Sequence, residues 1–427
     1  MRAGHAAAVV LPLKRGDNAM AHGRLTGVSW REWSSEPTSM VSPAGSKTAA
    51  RMMTAHAGLG PASSLRIGEV SLSVLGRARM YVCGITPYET THVGHAATFV
   101  WADVAARVLR LAGAAVEVCR NVTDIDDHLL TQAKRDGVAW RSLATQETYR
   151  FERDMAQLGV VRPAYEPRSR DYVDEVIALA AQLLATGAAY ERNGSVYFRG
   201  GEIASRARLD RERAIELARV NGGHPDDPNK DDPLDAALWQ RSVGDEPAWP
   251  SPWGLGRPGW HAECTAMSLA TFGPSVDLHV GGEDLAFPHH VYEAAQAEAY
   301  TGVRPFARAW MHVGSVLVEG DKMAKSAGNL VYVNEVLDRY PPGALRLLIL
   351  SRHWSASWEF DEAGLEHAAS ELESLWRYGA ASGDRDLAEH EVASALLDDL
   401  DVPRALAVAK EAGGQVLRDL VALLGLS

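Results

Sequence analysis

The first stretch with a clear period opens near Leu65, and the period changes twice before Val122. Met80-Tyr81-Val82-Cys83 is a short continuous apolar run that stops at Gly84, which predicts a buried strand. Phe99, Val100, Val104, Val108 and Leu111 then recur at helical spacing, so Ala96 to Ala112 reads as a helix with one buried face. Val116 to Val122 is the next strand. Strand, helix and strand in this order imply a right-handed crossover onto a parallel sheet. Residues of about 140–185 read as helical and end near Gly187; Val196-Tyr197-Phe198 is strand-like. Asn221 to Asp235 is crowded with Gly, Pro, Asp and Asn, and reads as an irregular loop. The pattern resumes at Gly259-Trp260-His261, followed by a strand at Val276 to Val280, a helix from about His289 and a strand from Ala309 to Val318. From Asp361 onward helices dominate, with turns at Gly383 and Pro403. No internal repeat is visible. Residues 1–64 keep no period. Their Arg-rich, acid-poor composition resembles a transit peptide, and a disordered or over-long leader is the favoured reading, with Met20, Met40, Met52 and Met53 as later starts.

Charge narrows the picture. The 427 residues carry a formal charge of −12, from 43 Lys+Arg against 55 Asp+Glu, which is not the balance of a dedicated nucleic-acid coat. The leader is basic. From Glu366 onward the chain is strongly acidic, with only Arg377, Arg385, Arg404, Lys410 and Arg418 as cations. The 3 cysteines, Cys83, Cys119 and Cys264, are too few and too odd for a secreted disulfide framework and point to a reducing, cytoplasmic compartment. No apolar run approaches the roughly 18–20 residues of a membrane span.

Four groups of residues carry chemistry. Cys83, Cys264, and His289 with Glu293 at i, i+4 make a reasonable tetrahedral zinc set of two sulfurs, a nitrogen and an oxygen. Taken singly, Cys83 and Cys264 read equally as small buried apolar residues, and Cys119 keeps that reading. His92-Val93-Gly94-His95 opens a helix after a strand, where free N–H groups and the dipole favour an anion, and Gly94 lets a phosphate approach. Alone, it is also a loop with two surface histidines. The chain has few lysines, yet Lys322 and Lys325 fall three residues apart in one loop. Such a pair suits the charge on a leaving pyrophosphate, though a solvated loop has the same look. Asp124, Asp126 and Asp127 end a strand; a helix cap is preferred there over a metal site.

In this order, the four groups resemble class I aminoacyl-tRNA synthetases. His92 to His95 looks like the HIGH signature. Lys322 to Ser326 looks like KMSKS, with Ala324 in place of its first Ser. Cys83, Cys264 with Trp260, and Phe287-Pro288-His289-His290 resemble the cysteinyl-tRNA synthetases, whose zinc takes the substrate thiolate. The resemblance spans about 76–410. A sister family shares this core: the mycothiol-pathway cysteine ligases, which couple cysteine to the amine of glucosaminyl-inositol. Cys83 to Tyr88, His92 to Thr98 with Ala97, Asp232 to Trp239 and Gly256 to His261 are similar to that family. Departures are Val220, Asn221 and His224, where the ligases carry Glu, Arg and Asp, and Glu293, which is a synthetase feature.

The resemblance implies an α/β fold: a class I synthetase-type Rossmann-like parallel sheet domain in two halves, 65–165 and 253–318. An inserted acceptor-side subdomain would occupy 166–252. A KMSKS-type loop and connecting segment would follow at 319–365, then a C-terminal α-helical bundle at 366–427 without an anticodon-binding module. It implies adenylation of L-cysteine by ATP-Mg2+, with zinc held by Cys83, Cys264, His289 and Glu293. His92, His95, Lys322 and Lys325 would stabilise the phosphate, and Trp260 would wall the cysteine. Cys83, Gly84, Ile85, Thr86, Gly94, Thr98, Asn121, Val122, Thr123, Gly282, Glu283 and Asp284 would line the adenylate, with Val316 near adenine. Asp284 would take the acceptor's proton or hold the cysteine ammonium. The expected partners are L-cysteine, ATP and an amino-sugar-inositol amine; neither tRNA nor a membrane is expected, and the chain is expected to be a monomer. A cysteinyl-tRNA synthetase, a cysteine-amide ligase for another amine and a non-catalytic paralogue are the alternatives.

Overall fold

The computed structural model describes residues 64–73, 76–88, 91–324, 327–378 and 386–426. The expected leader lies outside these residues except for Ser64, which opens β1 (Ser64–Ile67), the partner of β2 (Val70–Ser73) in an antiparallel hairpin. β3 (Arg77–Ile85), α1 (Val93–Leu111) and β4 (Ala115–Val122) then make a parallel crossover. α2 (Asp127–Asp136) follows at once. Asp126 caps it by accepting from His128 N at 2.8 Å, the capping role read from the acidic run. α3 (Trp140–Gln157) and α4 (Val173–Ala185) lead into the inserted unit.

That unit is an antiparallel sheet of β5 (Ala189–Arg192), β6 (Ser195–Phe198), β7 (Ala236–Arg241) and β8 (Gly256–Pro258), with α5 (Arg211–Val220) between β6 and β7. Its last strand lies beyond residue 252, the boundary the sequence suggests. Trp239 pairs with Pro258, so the sheet closes only on reaching the next helix. That helix, α6 (Trp260–Phe272), has no amphipathic stripe because almost every side is buried.

β9 (Val276–Gly282), α7 (Val291–Thr301) and β10 (Ala307–Val313) complete the central sheet, whose order is β10-β9-β3-β4 with every pair parallel. The strand expected from Ala309 to Val318 is two strands. β11 (Val316–Val318) leaves the central sheet and pairs with β12 (Asp321–Lys322). The break is at Gly314, which packs so closely on the Ala356 backbone that a Cβ would lie 2.4 Å from it.

α8 (Pro342–Leu350) and β13 (Trp358–Glu359), which pairs with β11, lead to the helices α9 (Glu362–Tyr378), α10 (Asp386–Leu397), α11 (Val402–Ala412) and α12 (Gly414–Leu423). One apolar core runs from α1 and the sheet into this bundle. Arg346 crosses it fully buried. Its guanidinium meets Asp103 of α1 and the carbonyls of Leu424 and Leu158, the last at 3.0 Å. Asp103 also accepts from Arg107 at 2.8 Å. No described helix is long and apolar enough to cross a membrane.

Candidate active site and metal centre

The register between β3 and β4 shifts between Val82 and Ile85, so Cys83 leaves the regular ladder at the strand's end. A bulge of this kind re-aims a side chain. Gly84 makes it feasible: a Cβ there would sit 1.6 Å from the Asn121 carbonyl oxygen. α6 brings Trp260 and Cys264 onto one face, and the turn before α7 brings His289. Cys83, Cys264, His289 and Glu293 are all buried, with donor atoms within 4.8 Å of one another. Glu293 Oε1 accepts from His289 Nε2 at 2.8 Å and from Cys83 Sγ at 3.4 Å. The set fits a thiophilic ion such as zinc in donor type and number.

Electrostatics support that fit. Burial alone would push His289 down, but Glu293 and Cys264 raise it to about 10. Burial opposes the Glu293 charge too, yet His289 and His279 hold its carboxyl well below the usual range. Against its own burial, Cys264 is held down by Cys83 and His289, while burial, Cys264 and Glu293 push the Cys83 thiol up, so the negative charge of the cluster sits on Cys264 and Glu293. Behind it, His279 Nε2 stands 2.7 Å from Glu293 Oε2, close but poorly aligned for a hydrogen bond. His261 Nδ1 and His289 Nδ1 are 2.8 Å apart, and Trp260 stacks on His289 at 4.2 Å between ring centroids. An alternative donor set, Cys83, His279, His290 and Glu293, shares two members. Its histidines do not face the cleft, whereas Cys83, Cys264 and His289 do.

Asn121 lines the cleft, as expected of it, and has a second set of contacts. Its side-chain Oδ1 accepts from Gly84 N at 2.8 Å, and its Nδ2 donates to Cys264 Sγ at 3.3 Å. It therefore braces the thiol cluster while also lining the cleft. Thr86 and Thr123 share a hydroxyl contact of 2.8 Å across the two strand ends.

At the other side of the same cleft, His92 and His95 stack at 3.9 Å at the start of α1. A side chain at Gly94 would meet the His92 ring at 2.9 Å. Burial lowers His92 to about 2 and His95 to about 4, so both rings are neutral donors rather than charges at pH 7. Lys322 Nζ pairs with Asp284 at 2.9 Å. Val93 N donates to Val331 O at 2.9 Å and Val333 N to Thr91 O at 3.0 Å, joining the histidine turn to the chain beyond the lysine loop. Thr98, Gly282 and Val316 line this part of the cleft.

Three residues expected at the adenylate do not line it. Ile85 and Val122 pair across β3 and β4 with their side chains in the core, and Glu283 turns away to accept from Ser357 Oγ at 3.0 Å. Glu293 sits behind His289. Lys325 lies outside the described residues. The sequence reading missed His261, Tyr197, Asp227, Asn229 and Lys230, which the fold brings to the cleft. Of these, Lys230 carried a signal, the scarcity of lysine already used for Lys322, and His261 closes the Gly256 to His261 segment that carried the resemblance.

Residues 70–370 match the family described as "tRNA synthetases class I (C) catalytic domain". The chain is 44% identical over 341 residues to the L-cysteine:1D-myo-inositol 2-amino-2-deoxy-alpha-D-glucopyranoside ligase of Mycolicibacterium gilvum, covering 77% of each. It is 40% identical over 385 residues to the ligase of that name from Streptomyces griseus, covering 84% of this chain and 93% of the relative. Among solved structures, Mycobacterium tuberculosis methionyl-tRNA synthetase in complex with methionyl-adenylate superposes with a TM-score of 0.58 at 16% identity, over 82% of each chain. That likeness shows the fold: a class I synthetase-type Rossmann-like sheet with an inserted unit and a helical bundle.

Proposed function

Because the chain belongs to the class I (C) tRNA synthetase catalytic-domain family, in its branch of L-cysteine:1D-myo-inositol 2-amino-2-deoxy-alpha-D-glucopyranoside ligases, we propose that it performs that ligation as a step of mycothiol biosynthesis. It activates L-cysteine with ATP-Mg2+ as cysteinyl-AMP and passes the cysteinyl group to the amine of the amino-sugar inositol. The observation that carries this reading is the buried Cys83, Cys264 and His289 set opening onto the cleft that holds His92, His95 and Lys322.

A zinc ion held by Cys83, Cys264 and His289, with Glu293 in reach, would supply a soft Lewis acid for the substrate thiolate, a contact that serine cannot make. Trp260, stacked on His289, walls the cysteine side chain. In the first step the cysteine carboxylate attacks the α-phosphate and pyrophosphate leaves. His92 and His95 donate N–H groups to the phosphate oxygens, and the α1 N-terminus adds its dipole. Lys322 releases Asp284 to meet the charge that develops on the leaving group. In the second step the neutral amine attacks the acyl carbon. A C–N bond forms, the bond from that carbon to the phosphate oxygen breaks and AMP leaves with the electron pair. Asp284, freed from Lys322, takes the proton of the amine. The cytoplasm, where free thiols persist, is the fitting compartment, and the chain acts as a monomer. The acidic region from Glu366 is unsuited to an RNA backbone.

Purified protein is incubated with cysteine, ATP-Mg2+ and either the amino-sugar inositol or tRNA, and products are read by mass spectrometry. Amide, AMP and pyrophosphate are expected from the first acceptor alone. Cysteinyl-tRNA without amide would overturn the reading. Val220, Asn221 and His224 line the cleft and depart from the ligases, so pyrophosphate exchange with no product from either acceptor would assign the enzyme another amine.

A further inference from the structure

The cleft has a volume of about 1570 Å³, more than a drug-sized ligand needs. The metal cluster and nucleotide signatures account for part of its wall. The rest comes from the start of α2 and from the inserted unit, and it is built mostly of carboxylates, amides, hydroxyls, the Lys230 ammonium and the guanidiniums of Arg135, Arg219 and Arg241. Asp126, Asp127, Asp227 and Asp235 balance those cations, whereas a polynucleotide would ask for surplus positive charge and an apolar ligand for an apolar wall.

The loop from Asn221 to Asp235 is held by side chains rather than by a strand or helix. Tyr190 Oη donates to Asp235 at 2.6 Å and accepts from Asp231 N at 2.7 Å. Tyr197 Oη donates to Asp227 Oδ2 at 2.8 Å, while Asp227 Oδ1 accepts from Asn229 N and Nδ2 at 2.9 and 3.0 Å. Asn193 Nδ2 closes the chain onto Asn229 Oδ1 at 2.7 Å. A loop fixed this way presents its remaining polar atoms without further ordering cost. What it presents is Lys230. This side chain is half-buried, faces the cleft, and has no hydrogen-bond or ion-pair partner among the described residues. It lies within electrostatic reach of Asp227, Asp235 and His261, and His261 touches His289. Lys230 thus stands where the inserted unit meets the metal cluster.

We propose that this polar arm of the cleft is the acceptor subsite, that it takes a polyhydroxylated amine, and that Lys230 and Asn229 read its hydroxyl oxygens. The inference rests on the ligase reading and names where its second substrate sits. The donors of Lys230 match ring oxygens. The carboxylates of Asp126, Asp127 and Asp227 suit an amine that arrives protonated. The arm is continuous with the thiol cluster, so an acceptor seated there lies beside the activated cysteine.

Lys230→Met, Lys230→Arg and Asn229→Ala are compared with wild type in two assays. Cysteine-dependent ATP–pyrophosphate exchange reads the first step, and amide formation with varied amino-sugar inositol reads the second. Loss of one charge-assisted hydrogen bond predicts an acceptor KM raised about 10- to 100-fold in Lys230→Met, a smaller rise in Lys230→Arg, and a much smaller change in exchange. Asn229→Ala should raise the acceptor KM in the same direction. Amide formation with an unchanged acceptor KM in both Lys230→Met and Asn229→Ala overturns the proposal alone. So does a fall in exchange parallel to the fall in amide formation, which would move Lys230 to the cysteine side. No amide from wild type, with exchange intact, overturns the ligase reading and this subsite together.

Discussion

Asn121→Ala removes two contacts with different consequences. The 2.8 Å acceptor for Gly84 N is lost whether or not a metal is bound, so that loss appears in folding stability and cancels in metal affinity. The 3.3 Å N–H···S contact to Cys264 is different. It strengthens as the sulfur becomes a thiolate, the form that binds a metal. A hydrogen bond to a charged group contributes about 1.5–3 kcal/mol, and about 1.4 kcal/mol is tenfold in an equilibrium constant. Zinc affinity should therefore fall about 10- to 100-fold, the range known for groups that orient metal ligands. Asn121→Asp keeps an acceptor for Gly84 N but sets a carboxylate against the sulfur, so it should bind zinc more weakly than Asn121→Ala. The assay is titration of purified protein with a competing zinc chelator at fixed pH, with circular dichroism as a check of fold. Unchanged zinc affinity in well-folded Asn121→Ala would refute the argument, as would tighter binding in Asn121→Asp.

Cys264→Ser should abolish cysteine-dependent pyrophosphate exchange, and retained exchange would refute a thiolate role for this cleft. Arg346→Met should cost about 3–5 kcal/mol in denaturant unfolding, because it strands the buried Asp103 carboxylate. Arg107 still meets Asp103, so the lower end is expected, and a loss under about 1 kcal/mol would show that the pair contributes little. Burial holds His95 and His312 at about 4 and His92 at about 2, below their ordinary 6.5. The unfolded chain therefore binds these protons first as pH falls, so stability should rise with pH between about 4 and 6.5; flat unfolding midpoints across that window would contradict the assignment.

The crossover from β3 through α1 to β4 could be read because its apolar period switches from strand to helix and back. α6 could not, since its surroundings bury nearly all sides and erase any stripe. The thiols, His289 and Glu293 were legible as types of donor, and their convergence came from resemblance rather than from spacing. Of the imidazoles around them, His261 and His290 fall in segments that carried the resemblance, but His279 and His312 were not legible: they arrive on β9 and β10 and meet His290 through long-range packing, which leaves no local pattern. The place of Lys230, as opposed to its rarity, was hidden for a related reason. Its place depends on Tyr190 of β5 and Tyr197 of β6 reaching over to hold a loop that has no period of its own. The early closing of the inserted unit and the single strand drawn through Gly314 share a cause: composition marks turns but not which sheet a strand joins.

The bond from Val93 N to Val331 O gives the lysine loop a fixed far end, while β12 pairs with β11 at its near end. The histidine turn and the lysine loop are thus two jaws of one clasp, strung between the central sheet and the small sheet that β13 completes. A clasp of this kind is tuned by span. Changing the number of residues between Met323 and Val331 should alter the grip at His92 and Lys322 together, whereas a substitution such as Ala324 leaves the span intact.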